Sequence, residues 1–355
     1  MNSLPSRALK GSWRRIKYWV EGPQQRLVDQ WMSYLLPRLT AIERKLLTAS
    51  HDDAVALPAD SEQRLADDAP RLQALRSQYS ALGLPANSRS QWTQERLNNS
   101  LDSRYFRGDN PYIWQYREWP RATVLKYFIY ARYVQALDTP GLLSKLGEDG
   151  AFGCWSFEYP GLGRVSRDLL DSVNEIMFLE RQIGILERSG LRVLDIGAGY
   201  GRLAYRMAQA VPGLTDYCCV DAVPESTFLS EYYLDYRGCK PTRVVPLNEQ
   251  QNGLQPGTFD LAINIHSFSE CTHEVVAWWL NRLRQLQVKW LLVVPNEPDG
   301  MRSTETDGSQ RDFQPLIEAA GYELSVREPT FTDPAVRELL QVDDHFHLFV
   351  RRDVQ

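Results

Sequence analysis

Histidine, cysteine, long apolar runs and surplus positive charge are all scarce in this sequence of 355 residues. Only five cysteines occur, Cys154, Cys218, Cys219, Cys239 and Cys271, and they show no paired metal-type spacing. An odd number spread over so long a chain points to reduced thiols, not to a disulfide framework. The longest strictly apolar runs are a few residues, such as Trp290 to Val294, far short of a bilayer span. The Arg and Lys residues near the start precede no apolar stretch with a small-residue cleavage site, so no signal peptide is read there. Forty Lys and Arg against 45 Asp and Glu leave a net charge of −5, which disfavours a large nucleic-acid footprint. The expectation is a cytoplasmic protein without a nucleic-acid partner.

What is present is an ordinary globular balance, 43% hydrophobic and 24% charged, in a chain long enough for one large domain or two modest ones. Three textures divide it. Residues 1–97 read as a helical N-terminal extension with a connector. Residues 1–48 hold nine Lys or Arg and three Asp or Glu. Within Ser12 to Leu47, Trp31, Leu35, Leu39, Ile42 and Leu46 recur at helical spacing, and Pro37 bends or divides the helix. Such a helix packs on the body or on another copy of the chain in a homo-oligomer. A basic amphipathic helix also suits peripheral attachment to an anionic membrane surface. A connector rich in Ala, Asp and Ser follows, then a helical pattern from Leu65 towards Leu82 that Gly83 and Pro85 punctuate.

Residues 98–188 read as a helical, aromatic-rich cap. Tyr105, Phe106, Tyr112, Trp114, Tyr116 and Trp119 alternate with Arg104, Arg107, Asp109 and Arg117. Ring faces beside charged forks suit a sugar or nucleotide, which makes Tyr105, Arg107, Tyr112 and Trp114 candidate acceptor contacts. The same composition would serve a plain aromatic core. Val173 to Leu186 closes the region as an amphipathic helix.

Residues 189–355 carry the chemistry. A strand over Leu191–Ile196 opens onto Gly197-Ala198-Gly199-Tyr200-Gly201, and Arg202 to Ala210 reads as a helix. Strand, glycine turn and helix let a ligand approach backbone closely. The dinucleotide fingerprint needs its third glycine where this chain has Arg202, so nicotinamide chemistry is disfavoured. A second strand, Asp216 to Val220, ends at Asp221, a carboxylate placed to accept ribose hydroxyls. Pro224 to Tyr236 is helical. Further strands are expected over Arg243–Leu247, Phe259–Ile265, Lys289–Val294, Gly321–Val326 and His345–Val350, with helices over Glu274–Leu286 and Phe313–Ala320 between them. This βα alternation implies a largely parallel sheet covered on both faces.

Val193 to Gly201 resembles the first motif of the class I S-adenosylmethionine-dependent methyltransferases. That resemblance implies a Rossmann-like three-layer α/β sandwich whose seven-stranded, mostly parallel sheet has an antiparallel last strand. It also implies S-adenosylmethionine as cofactor, held by Asp195, Gly197, Gly199, Gly201, Asp221, Ala222, Asn248 and Asn264. Three blocks narrow it: Cys219 to Ser226, Phe259 to Cys271, and Arg302 to Thr306 resemble a bacterial family of sugar O-methyltransferases. A sugar, nucleotide-sugar or glycan acceptor is then implied, in surface-glycan or glycosylated-metabolite synthesis. The setting would be the cytoplasm, at the inner face of the bacterial membrane where the basic helix attaches.

A sugar hydroxyl is a poor nucleophile until it loses its proton, and a neutral imidazole can take it. His266 follows the fourth strand and is the candidate base, with Glu270, four residues on, able to orient it. Tyr232, Arg302, Glu305 and His345 are further acceptor candidates. Mg²⁺ would prefer carboxylates such as Glu225, Glu270, Glu297 and Asp343, but their spacing defines no cluster, so metal is compatible and not predicted. Two alternatives stay open: a methyltransferase for a natural-product small molecule, and a non-catalytic protein that binds the cofactor and a partner.

Overall fold

The structure, a computed structural model, describes Tyr34 and residues 57–88, 92, 101–108, 120–296 and 300–352. Apart from Tyr34, which is helical and exposed, the basic helix expected over Ser12–Leu47 lies outside the described residues, as do Tyr112, Trp114 and Glu297. The chain divides into two compact units. The first, 1–53 with 118–125, is described at Tyr34 and at residues 120–125, which are helical. The second, 54–117 with 126–355, carries everything that follows.

Helices α1 (Ser61–Arg64), α2 (Pro70–Ser80) and α3 (Pro85–Ser88) come first. Pro70 opens α2, where its missing N–H costs nothing, and Leu72, Leu75 and Tyr79 recur at steps of three and four to give the buried stripe. Next come α4 (Pro120–Leu137), α5 (Leu142–Leu146), a hairpin of β1 (Ser156–Tyr159) and β2 (Gly163–Ser166), and α6 (Arg167–Ile183). Sequence periodicity starts α6 at Val173; the helix begins earlier because Ser166 caps it, its Oγ accepting the Leu169 N–H at 3.1 Å. Gly184, at φ 63°, ends it.

The alternating part follows: β3 (Leu191–Ile196), α7 (Arg202–Ala210), β4 (Leu214–Val220), α8 (Pro224–Tyr236), β5 (Thr242–Val244), α9 (Gln250–Gly253), β6 (Leu261–Ile265), α10 (His273–Leu286) and β7 (Trp290–Val294). A hairpin of β8 (Arg302–Thr304) and β9 (Gln310–Asp312) precedes α11 (Gln314–Ala319), β10 (Tyr322–Pro329), α12 (Pro334–Leu340) and β11 (His345–Arg351). The main sheet runs β10-β11-β7-β6-β3-β4-β5. Five neighbours, β5 to β7 across the middle, are parallel; β11 runs antiparallel to both β7 and β10. The expected α/β architecture, seven strands with an antiparallel last strand, is therefore the observed one.

Strands β6 and β7 are apolar almost throughout because helices cover both faces of the sheet. Three local differences from the sequence reading have physical reasons. The third parallel strand stops at Val244: Pro246 donates no ladder bond, and Leu247–Glu249 winds into a 3₁₀ turn. The polar stretch at Arg302 is a strand, too short at three residues to display alternation. The β1–β2 hairpin is equally short and was hidden in the aromatic region. All five cysteines are free thiols. Among the described residues no helix is long and apolar enough to cross a membrane.

Candidate functional site

Parallel strands leave their C-terminal ends at one edge of the sheet, and a cavity of about 620 Å³ opens there. One wall is the loop between β3 and α7. Gly197, Gly199 and Gly201 all sit at positive φ, 75°, 57° and 86°, but for different reasons. A Cβ on Gly197 would stand 2.2 Å from Ser267 Oγ, and one on Gly201 would press on Leu234 at 3.2 Å. A Cβ on Gly199 would meet nothing within 4 Å, so this glycine is the one that leaves room for a ligand. The loop's amides are already engaged. Gly197 and Ala198 donate to Val220 O, Gly201 donates to Ala198 O at 3.0 Å, and Gly199 donates to Asp221 Oδ2 at 3.0 Å. Those four N–H groups are therefore not a phosphate cradle.

Two buried carboxyls stand behind the loop. Asp195, on β3, accepts from Tyr217 Oη at 2.8 Å; Asp221, just past β4, accepts from Gly199 N and from Val223 N at 2.8 Å. Burial raises each from 3.8 to about 7. Ala222 also lines the cavity. Asn248 does not, although its Oδ1 is buried without a hydrogen-bond partner. Asn264 is fully buried behind the wall, donating to Ile196 O at 2.9 Å and Ser267 Oγ at 2.7 Å and accepting from Phe268 N at 3.0 Å. It pins the end of β6 to β3 and does not reach the cavity.

The opposite wall starts at His266. Its amide donates to Val294 O at 2.7 Å, and Ser267 N bonds Ile265 O at 2.8 Å across it, a γ-turn with φ 65° at the centre. Two of the other three non-glycine residues at positive φ, Gln287 and Gln341, are helix C-caps; His266 is not. The strained turn projects its imidazole into the cavity, with Nε2 3.3 Å from Asp344 Oδ2. Glu270 lies in the turn that follows and lines the cavity too, but its Oε2 accepts from Trp92 Nε1 at 2.8 Å. The carboxylate beside His266 is thus Asp344.

The rest of this wall comes from α6, whose first turns present Arg167, Asp171, Asn174 and Glu175, and from Tyr130, Thr330, Phe331, Gln341 and Phe346. Arg202, where the dinucleotide fingerprint would need glycine, forks onto Glu175 at 2.8 and 2.9 Å. Tyr130 Oη donates to Asp171 at 2.7 Å and Arg167 Nε to the same carboxylate at 3.2 Å. Phe331 meets Tyr130 edge-on at 4.8 Å. The charged residues of α6, Tyr130 and Trp92 were all missed in the sequence, where only the apolar stripe of that helix was read.

Several expected acceptor contacts are elsewhere. Arg107, 0% exposed, spends its guanidinium on Glu148 at 2.8 Å, Asp168 at 3.0 Å and Ala151 O at 3.2 Å. Because Asp168 also accepts from Tyr200 Oη, Arg107 stands behind the glycine loop and does not face the cavity. Tyr105 is 45% exposed and packs beside Gly153, while Tyr232 is buried on α8 with its ring under Arg64. Arg302 lies on the outer hairpin, and Glu305 accepts from His273 N and Ser303 Oγ there. His345 and His347 share a face, ring centroids 6.2 Å apart, and neither lines the cavity; burial lowers both, His347 to about 4. Among the described residues no group of three or more His, Cys, Asp or Glu side chains is placed to hold a metal ion.

No family model and no curated protein matches this sequence. Solved structures do. The [4+2]-cyclase SpnF is 17% identical with a TM-score of 0.40, the match covering 62% of this chain and 96% of that one. A SAM-dependent methyltransferase from Aquifex aeolicus is 15% identical, TM-score 0.37, over 62% of this chain and 97% of its own. Magnesium protoporphyrin IX methyltransferase from Synechocystis PCC 6803, with bound SAM, is 14% identical, TM-score 0.37, over 63% and 97%.

Proposed function

We propose that this chain is an S-adenosylmethionine-dependent O-methyltransferase acting on a sugar hydroxyl, with His266 as general base. The observation that carries the reading is the His266–Asp344 pair, held by a γ-turn in the cavity that the open Gly199 loop also lines.

The donor side fits the cofactor. Asp195 and Asp221 are buried carboxyls raised to about 7, and a positively charged ligand would restore their ionisation. Asp221 would take the ribose hydroxyls while its backbone partners fix its orientation. Asp195 would face the methionine portion, and Ala222 with Gly199 would leave room for the nucleoside. The orphaned Asn248 Oδ1 suits an amino-group donor such as adenine offers. When bound, S-adenosylmethionine supplies a methyl carbon made electrophilic by its sulfonium charge.

The chain's own part is the proton. With a proton on Nε2 facing Asp344, His266 keeps Nδ1 as the acceptor for the hydroxyl proton, and the Asp344 carboxylate stabilises the imidazolium that results. Orientation is the other contribution, from residues locked by their own bonds: Asn174 to Thr330 O at 2.9 Å, Arg202 to Glu175, Tyr130 to Asp171. Tyr130, Phe331 and Phe346 supply ring faces beside these polar groups, the combination that sugars use.

The test is transfer of label from isotopically labelled S-adenosylmethionine into a panel of nucleotide sugars, glycosides and bacterial glycan extracts, with EDTA or added Mg²⁺. Label in a sugar fragment, abolished in His266→Ala while donor affinity persists, is the expected result. Label in a non-sugar acceptor overturns the sugar assignment. Donor binding without transfer to anything offered counts against the enzyme reading.

A further inference from the structure

We infer that the acceptor carries no phosphoryl group: the cavity takes a neutral or amine-bearing hydroxylated molecule, methylated free of any nucleoside diphosphate. The inference rests on the methyl-transfer reading and adds the charge class of its acceptor.

Eight carboxylates line the cavity against two guanidiniums, with no lysine among the described lining residues. Both guanidiniums already have carboxylate partners on the same wall. Arg202 is forked onto Glu175, and Arg167 faces Asp171 at 3.2 Å. Asp344 and Asp343 extend the negative wall, with side chains 20% and 66% exposed. A phosphate entering here would have to pull an arginine from its partner and remain beside the other carboxylates.

Backbone does not compensate. Phosphate sites without basic side chains use open N–H groups at a glycine loop or helix start. Here Gly197, Ala198, Gly199 and Gly201 donate internally, and the capped start of α6 gives its Leu169 N–H to Ser166 Oγ. A phosphate on the anomeric carbon lies within one ring of any methylated hydroxyl, inside this wall. Hydroxyls and ammonium groups, by contrast, can donate to the carboxylates. A sugar acceptor of this class is supplied by glycosyl transfer, which leaves the diphosphate behind, so methylation follows that step.

The experiment uses the full chain loaded with S-adenosylhomocysteine. Inorganic pyrophosphate is titrated and followed by phosphorus NMR, and matched methyl glycoside, amino-sugar methyl glycoside and sugar 1-phosphate are compared in label transfer. Pyrophosphate is expected to bind more weakly than about 10 mM, and to bind at least about threefold more tightly to Asp343→Lys, a substitution at an exposed position. Pyrophosphate binding below about 1 mM, an Asp343→Lys affinity equal to the parent's, or a 1-phosphate methylated as fast as its neutral glycoside overturns the inference. Failure of S-adenosylmethionine itself to bind would instead sink the methyltransferase reading, which a separate donor titration reads directly.

Discussion

Asp344 Oδ2 lies 3.3 Å from His266 Nε2, although 78 positions separate the two residues. The sheet explains the meeting. His266 follows β6 and Asp344 precedes β11; because β11 runs antiparallel beside β7, its start lies at the C-terminal edge of the parallel strands. A carboxylate there favours a charged ring, so Asp344 is a positioning residue for the base.

His266→Ala should lower turnover by roughly 10²- to 10⁴-fold with donor affinity unchanged. Asp344→Asn should cost less, and should move the acid limb of the pH–rate profile to lower pH, since the carboxylate no longer favours the protonated ring. Steady-state kinetics across pH would decide it. A merely structural Asp344 would lower activity without moving that limb.

Donor binding should itself depend on pH. Asp195 and Asp221 are raised to about 7 in the free protein, and a cationic donor favours their ionised forms. Donor affinity should therefore be level above pH 7 and fall below it, by up to about tenfold per pH unit for each group. The sign for stability is opposite. Carboxyls raised from 3.8 to about 7 destabilise the free fold increasingly as pH rises from about 4 through 7, so thermal protection by the donor should be greatest above 7. Calorimetric titration at pH 6 and 8 checks the first, and melting with and without donor checks the second. Equal affinity at both pH values would mean that neither carboxyl faces the donor's charge.

The donor side was legible in the sequence because its parts are local: an apolar strand, three glycines and an acid at the next strand's end fall within Leu191 to Asp221. The acceptor side was not. Its residues come from α6, from Tyr130 and from the approach to β11, joined only by tertiary packing. Periodicity identified the buried stripe of α6 and said nothing about which polar residues in its first turns meet a cavity. Arg107 misled for a related reason. A basic residue among aromatics reads as a ligand contact, and only the fold reveals Glu148 and Asp168 as its partners. Asn264, too, has the chemistry of a binding residue and the bonds of a structural one.

The glycines should separate by substitution. Gly197→Ala places a methyl 2.2 Å from Ser267 Oγ at φ 75° and should destabilise the fold by roughly 2–5 kcal/mol. Gly199→Ala meets open space and carries only the backbone penalty of φ 57°, about 1 kcal/mol, yet it fills the approach to the donor. The expected pattern is a large drop in melting temperature with the first, and a small drop with weakened donor binding for the second. Comparable melting curves would refute the assignment.

Arg107 should behave as a support for the glycine loop. Its guanidinium, 1% exposed, meets Glu148 and Asp168, and Glu148 also takes Arg206 at 3.0 Å. Arg107→Ala leaves two buried carboxylates short of a partner and should cost about 3–5 kcal/mol in denaturant unfolding. Lys cannot make the forked contacts, so Arg107→Lys should recover only part of this. Asp168 joins the cluster to Tyr200 in the loop, which makes Tyr200→Phe the informative companion. It removes one hydroxyl, keeps the ring against Phe106 at 5.1 Å, and should weaken donor binding several-fold at a stability cost of about 1–2 kcal/mol. Unaltered donor affinity in Tyr200→Phe would show that the cluster stabilises the fold without setting the loop.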